Sequence, residues 1–208
     1  NGRIAIVTNH APYAGERHLV MDSAYSGTCN LNELTLTVDL SGRQGVTLAF
    51  WQREFGDEDQ TMSSSFNGRQ NTDGVAMSAN GTNWVKVTGL TAAEGSSNGY
   101  SHFEVALDPI AAAYGLAYTS TFKIKFQQYD DFPIATDGFA FDEIALFARQ
   151  GDLRFSQAAY AASETGGVVV VDVERVNGSS GEVSVPYAVA DGTATAGADY
   201  VAVTGTLV

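Results

Sequence analysis

Carboxylates are the side chains in this sequence best suited to chemistry. Asp142 and Glu143 stand inside an apolar stretch, Gly138-Phe-Ala-Phe-Asp-Glu-Ile144. A strand sends neighbouring side chains to opposite faces. Asp142 then shares a face with Ala140, Ile144 and Leu146, and Glu143 shares the other with Phe141 and Ala145. If both faces are covered, at least one carboxylate is buried, and an unpaired buried charge is costly. A calcium ion, which takes six to eight hard oxygens, relieves that cost. Hydrogen bonds or a place at the strand end would do the same. Two denser clusters, Asp57-Glu58-Asp59 and Asp130-Asp131, lie near strand ends. They read as solvated loops, with a second cation site or a polar ligand rim as the alternative.

Aromatic residues offer a second kind of chemistry. Trp51, Trp84, Tyr129 and Phe132 could stack on sugar rings, although such rings are also ordinary core material. Trp84 reads as structural. Trp51 is followed by Gln52, Arg53 and Glu54, polar neighbours of the kind a glycan platform needs. Trp51, Arg53 and Tyr129 are therefore the candidate ligand surface. Catalytic signals are weak. His10, His18 and His102 lack the His-Glu-x-x-His spacing of a zinc site. The sequence contains no Gly-x-Ser-x-Gly elbow and no P-loop. A carboxylate pair for glycoside hydrolysis has no fixed spacing, and among 24 acidic residues finding one proves nothing. The chain reads as non-enzymatic.

Composition narrows the setting. The formal net charge is −13, and acidity extends through the first 150 residues and the remainder alike. That argues against a phosphate-backbone binder. The charge serves solubility or, where clustered, calcium. Cys29 is the single cysteine, so no intrachain disulfide can form. A secreted protein without disulfides fits a bacterial source. No stretch approaches the roughly 20 apolar residues of a membrane-spanning helix. Starting at Asn1, without a basic and apolar leader, the chain reads as a processed or excised fragment.

The elements that must position these groups are strands. Leu34–Leu40, Val46–Glu54 and Thr121–Gln128 alternate with period two. Shorter strands are expected at Ile4–Val7, His18–Asp22, Val75–Ser78, Trp84–Val87, Phe103–Leu107 and Phe139–Phe147. One helical turn is expected over Pro109–Tyr114, capped by Asp108 and stopped by Gly115. Together they predict an antiparallel jelly-roll β-sandwich over residues 1–150. After Arg149-Gln-Gly-Asp152 the texture changes. Val168–Val176 and Val183–Val189 alternate, and Pro186 marks an edge or a bulge. Residues 151–208 supply about four strands, too few to close a sandwich alone.

Two family resemblances rest on these residues. Gly15 to Asp22, Leu48-Ala-Phe-Trp51 leading into Phe55-Gly56, Ile124-Lys-Phe126 and the Gly138–Ile144 strand resemble MAM-type jelly rolls and related bacterial modules. The likeness spans most of residues 3–147, without the MAM cysteines. It implies one structural calcium at Asp142, with Asp22 and Asn9 in the Asn9-His10 loop as companions. Leu153-Arg-Phe155, Glu164, Val169–Arg175, Val183-Ser-Val185, Asp191-Gly-Thr-Ala194, Ala196-Gly197-Ala-Asp199-Tyr200 and Gly205 follow the order of a Calx-beta domain, an immunoglobulin-like sandwich. This resembles that family's N-terminal half and implies a second metal site at Glu164 and Asp199, with most ligands expected from the other half.

The expectation is a non-catalytic structural or adhesion module of a larger secreted or cell-surface protein, stabilised by calcium and meeting an extracellular protein or a glycan. One alternative is a carbohydrate-binding module of a polysaccharide-active enzyme. Another is a subunit that self-associates by exchanging strands with a second copy.

Overall fold

A computed structural model describes residues 2–27, 29–132, 137–163 and 166–208. The chain divides into two compact units, Asn1–Phe147 and Ala148–Val208. The fold is all-β, and its sheets are antiparallel.

The first unit contains β1 (Gly2–Val7), β2 (His18–Ser23), β3 (Asn30–Val38), β4 (Val46–Glu54), β5 (Ser65–Asn67), β6 (Gly74–Ser78), β7 (Asn83–Gly89), β8 (Ser101–Ala106), α1 (Leu107–Ala113), β9 (Phe122–Asp130) and β10 (Gly138–Ala148). One sheet has the order β1-β2-β10-β4-β8 and the other β3-β9-β6-β7-β5. Each is interleaved in sequence with the other, as in a jelly roll. Every strand expected in this region forms. Two features went unforeseen: β5, and the early start of β3 at Asn30 instead of Leu34.

Alternating apolar residues of both sheets meet in a phenylalanine-rich core. Phe50 stacks on Phe103 at 5.1 Å and meets Phe126 edge-on at 5.2 Å. Phe126 also meets Phe141 edge-on at 5.3 Å. Val46, Leu48, Val75, Met77, Phe122 and Ile124 fill the rest, all buried. Such aromatic pairs add to the stabilisation from area burial alone. Gly138 is required by close approach: a Cβ there would lie 2.2 Å from the Met21 carbonyl oxygen.

The helix corrects one expectation. It starts at Leu107, its N-cap is Ala106, and no side chain caps it. Asp108 faces the other way. It accepts hydrogen bonds from the Gly45 and Val46 amides at 2.7 and 3.0 Å and from the Tyr118 hydroxyl at 2.8 Å. It clamps the entry of β4 to the exit of the helix. Gly115, at φ +63°, ends the helix as expected. Replacing Asp108 by Ala should cost about 1–3 kcal/mol, read by urea unfolding. A change below a few tenths would show that the clamp is dispensable.

The second unit has β11 (Asp152–Phe155) paired with β12 (Val173–Val176), and β13 (Val185–Ala188) paired with β14 (Thr204–Leu207). The long strand expected from Val168 is shorter than its valine pattern. Val168 to Val171 are exposed and unpaired. The reason is partnership: β12 pairs with the four residues of β11, and alternation alone does not hold a strand whose backbone groups lack a ladder. Pro186 lies in a two-stranded ribbon, where a missing N–H is tolerated. Arg175 ties the start of this unit together, donating to the carbonyls of Gln150, Ser180 and Gly181 at 2.6, 2.7 and 2.9 Å.

Candidate metal centre

The rows that build the core change character at one level. Along the β3–β9 ladder the paired residues run Leu36 with Ile124, Leu34 with Phe126, Asn32 with Gln128 and Asn30 with Asp130. These four pairs share one face of the sheet, because they are two residues apart. On β6 the same face carries Met77, Val75 and, one step beyond the strand, Asp73. On the facing sheet, the inner row of β4 carries Leu48, Phe50, Gln52 and Glu54. One end of the sandwich is therefore filled by amides, and beyond them by carboxylates.

The amides organise this end. The Asn32 side-chain amide donates to Gln128 Oε1 at 2.7 Å, and Gln128 Nε2 donates to Asp57 Oδ1 at 2.6 Å. Asn30 Nδ2 donates to Asp130 Oδ2 at 3.2 Å. Asp73 accepts from the Tyr129 amide at 2.7 Å and from the Gln60 amide at 2.8 Å. Those contacts leave a definite remainder. Asp57 Oδ2, Glu58 Oε2, Asp130 Oδ1 and Asn30 Oδ1 are buried and have no hydrogen-bond partner. Asp130 is 0% exposed and Asp57 8%. Ligand oxygens of Asp57, Glu58 and Asp130 all lie within 4.8 Å of one another. Among the described residues, no lysine or arginine forms an ion pair with these three or with Asp73.

Electrostatics follow from the geometry. Burial, then the charge of Asp73, pushes the Asp57 carboxyl up to about 9. Burial pushes Asp73 up to about 8 and, together with Asp137 and Glu58, Asp130 up to about 6. Glu58 is raised as well, again chiefly by burial. Carboxylates raised this way stay protonated when folded at a pH where the unfolded chain has released its protons. With no cation bound, stability is then highest at acidic pH and falls as pH rises from the ordinary carboxylate range towards about 9. Melting curves in chelator at pH 5, 7 and 9 should show a steady fall. A rise would contradict the burial of these groups.

The solvated-loop reading of the two acidic clusters is thus corrected for Asp57 and Asp130, which point into the sandwich. Their neighbours Asp59 and Asp131 hold loops, accepting from the Ala92 amide and from the Gln60 side-chain amide, each at 2.8 Å. Period two carries the inward row past Phe126 to Gln128 and Asp130, so the sequence holds that signal. Asn30 gave no such sign, because its neighbours do not alternate.

The other candidate residues fall elsewhere. Asp142 accepts from the Ala14 and Glu143 amides at 3.0 and 2.9 Å. Asp22 is paired with Arg3, whose Nε lies 2.7 Å from Oδ1. Asp22 pairs with Gly138 and Leu19 with Phe141, so Asp22 and Asp142 sit at opposite ends of that ladder. The Asn9 backbone carbonyl accepts from His18 Nε2 at 2.6 Å. The structure does not gather these three into one oxygen shell. Trp51 and Arg53 share a face of β4, whereas Tyr129 belongs to the opposite sheet. Tyr13 stacks on Trp51 at 3.8 Å, and Arg53 donates to the His10 carbonyl at 2.7 Å. Glu164 lies outside the described residues. Asp199 is exposed and accepts from the Thr195 amide at 2.9 Å.

In the second unit, Asp191 accepts from the Ala196 amide at 2.8 Å and the Tyr200 hydroxyl at 2.7 Å. This fixes the loop that carries the Asp-Gly-Thr-Ala and Gly-x-Asp-Tyr order. Residues 148–208 match the Calx-beta domain family. The Calx-beta match coincides with the second unit, and the Asp191–Tyr200 bond pins together its two most distinctive sequence stretches. No curated protein matches the chain. Among solved structures, the chain is similar to the CBM22-1 xylan-binding domain of Xyn10C from Paenibacillus barcinonensis. That similarity has 10% identity, covers 70% of this chain and 80% of that domain, and has a TM-score of 0.42.

Proposed function

We propose that the chain is a non-catalytic structural or adhesion module of a larger secreted or cell-surface protein, in which a calcium ion stabilises the first, MAM-like unit. The observation that carries this reading is the set of three buried, unpartnered carboxylate oxygens of Asp57, Glu58 and Asp130, residues whose ligand oxygens lie within 4.8 Å of one another. Leaving such groups unmade is expensive, and a hard cation satisfies them together. Calcium fits better than magnesium. The oxygens come from the end of β9 and the loop after β4, an all-protein set from separate segments that suits a large ion, whereas magnesium retains several waters. The Calx-beta match supports a modular, non-catalytic role. No helix among the described residues is long and apolar enough to cross a membrane.

The test is direct. Protein passed through a desalting column after exposure to calcium should carry one calcium per chain by elemental analysis, and Asp57→Asn/Asp130→Asn should carry none. Calcium retained by the double variant would place the ion elsewhere, with Asp142 the next position to replace. No calcium in the parent protein would remove the reading.

A further inference from the structure

The first sheet buries residues on its outer face as well as on its inner one. His18 and Val20 on β2 and Ala140 and Asp142 on β10 alternate with Met21, Phe139 and Phe141, which face the core, so these four point away from it. All four are buried nonetheless, at 9% exposure or less. The segment between β1 and β2, residues 8–17, is fastened onto this face. We propose that the segment is an acid-released strap: protonation of His18 beneath it frees the strap from the sheet and uncovers Trp51 and Arg53. This adds a regulatory element to the structural role above and does not depend on the cation.

The strap is held by backbone and by rings. The Asn9 carbonyl accepts from His18 Nε2 at 2.6 Å, the His10 carbonyl accepts from Arg53 at 2.7 Å, and the Ala14 amide donates to Asp142 at 3.0 Å. The His10 ring stacks on Phe55 at 4.4 Å and the Tyr13 ring on Trp51 at 3.8 Å. The closed shape is strained. His10 and Ala11 both occupy the left-handed region, at φ +63° and +51°, which residues with a Cβ avoid. Release recovers that strain.

His18 is the buried fastening that titrates in mild acid. It is 2% exposed. A carbonyl only accepts, so the Nε2 that meets Asn9 carries a hydrogen, and Nδ1 of the neutral ring accepts from the Tyr100 hydroxyl. A proton on Nδ1 displaces the hydrogen that Tyr100 donates and leaves a charge under the strap, away from water. The groups that face the ring are Tyr100 just ahead of β8, Asp142 on β10, Arg53 on β4 and His10 on the strap. On β1, Val7 stands opposite it, and Glu16 and Arg17 just before it are exposed. Asp142 attracts a charged ring, but its carboxylate already accepts from the Ala14 and Glu143 amides. Arg53 and His10 repel one. Burial lowers the His18 pKa below its ordinary 6.5, against the pull of the Asn9 carbonyl and Asp142. With the folded value lowered, the closed strap is fully favoured above the ordinary value and loses stability as pH falls below it.

Hydrogen exchange of the full chain, read by mass spectrometry in chelator at pH 7.5 and pH 5, tests this, with rates corrected for the intrinsic effect of pH. Peptides covering residues 8–17 should lose protection several-fold on acidification. A ring that regains its ordinary pKa once exposed sets a ceiling of about thirtyfold. Peptides from β9 should keep their protection, because without a cation the carboxylate end is more stable in acid. His18→Gln, which can still donate to Asn9 and accept from Tyr100, should abolish the response, and His10→Phe should keep it. A change in the strap of less than about twofold, an equal loss in β9, or a response abolished by His10→Phe but not by His18→Gln would each overturn the assignment. If His18→Gln does not fold, the NMR titration of the His18 ring in the parent protein takes its place. Its inflection should fall below 6.5 and coincide with the opening of the strap, and an inflection elsewhere overturns the proposal.

Discussion

Asp130→Asn is expected to change the stability of this protein with opposite signs in the presence and absence of calcium. In chelator, Asp130 Oδ1 is a fully buried oxygen without a partner, near Asp57, Glu58 and Asp137. Removing its charge relieves repulsion that burial prevents water from screening, so the variant should melt higher than the parent, most clearly above about pH 6. In calcium, the parent gains from the bound ion and the variant loses a charged ligand. At 100 times the dissociation constant, binding contributes about 2.7 kcal/mol. For a unit of this size that corresponds to roughly 5–11 °C. The two melting curves should therefore cross as calcium is added. Parallel shifts, or a variant that melts lower in chelator, would show that Asp130 is structural and not a ligand. Asp57→Asn should behave similarly while keeping an acceptor for Gln128 Nε2.

The second large effect concerns the apolar part of the same rows. Phe126 is fully buried and touches rings on both strands that face it, Phe50 on β4 and Phe141 on β10. Phe126→Ala removes both edge-on contacts and leaves a cavity that three different strands would have to move to fill. A loss of about 3–5 kcal/mol follows, or roughly 6–20 °C in melting temperature. Phe126→Leu should recover much of it. Differential scanning calorimetry in saturating calcium separates this effect from ion loss. A change of only a degree or two would mean that the sandwich is far looser than its burial indicates.

Both experiments concern one strand, and that strand shows what sequence can disclose. The alternation Phe122, Ile124, Phe126 identified β9 and its inner face without help. The jelly-roll expectation rested on nine expected strands, three of them with clear alternation. What alternation could not disclose was its own continuation, because Gln128 and Asp130 continue the row in polar residues, and polar residues near a strand end normally signal exposure. The Asp57-Glu58 carboxylates stayed ambiguous between a solvated loop and a cation site for a related reason. They sit on a loop, and loop acidity is indistinguishable from solubility until the facing amides are placed. Asp142, which broke an apolar run and drew attention for that reason, is answered by two backbone amides. In the second unit the Calx-beta residues were readable as an ordered set, whereas strand lengths were not, because they depend on partners that periodicity does not name.

The switch from phenylalanine to amide to carboxylate has a mechanical consequence for strand alignment. A slip of one residue in β9 would exchange Phe126 and Gln128 for Lys125, Gln127 and Tyr129 on the inner face, which the alternation already forbids. A slip of two keeps the face correct and in an all-apolar core would cost little. Here it would carry Gln128 into the layer of Phe50 and Phe141, or carry Phe126 in among Asn32 and Asp57. The graded rows therefore act as a stop along the strand axis. They set how far each strand slides as well as which way it faces, so the polar end defines the length of the core it closes.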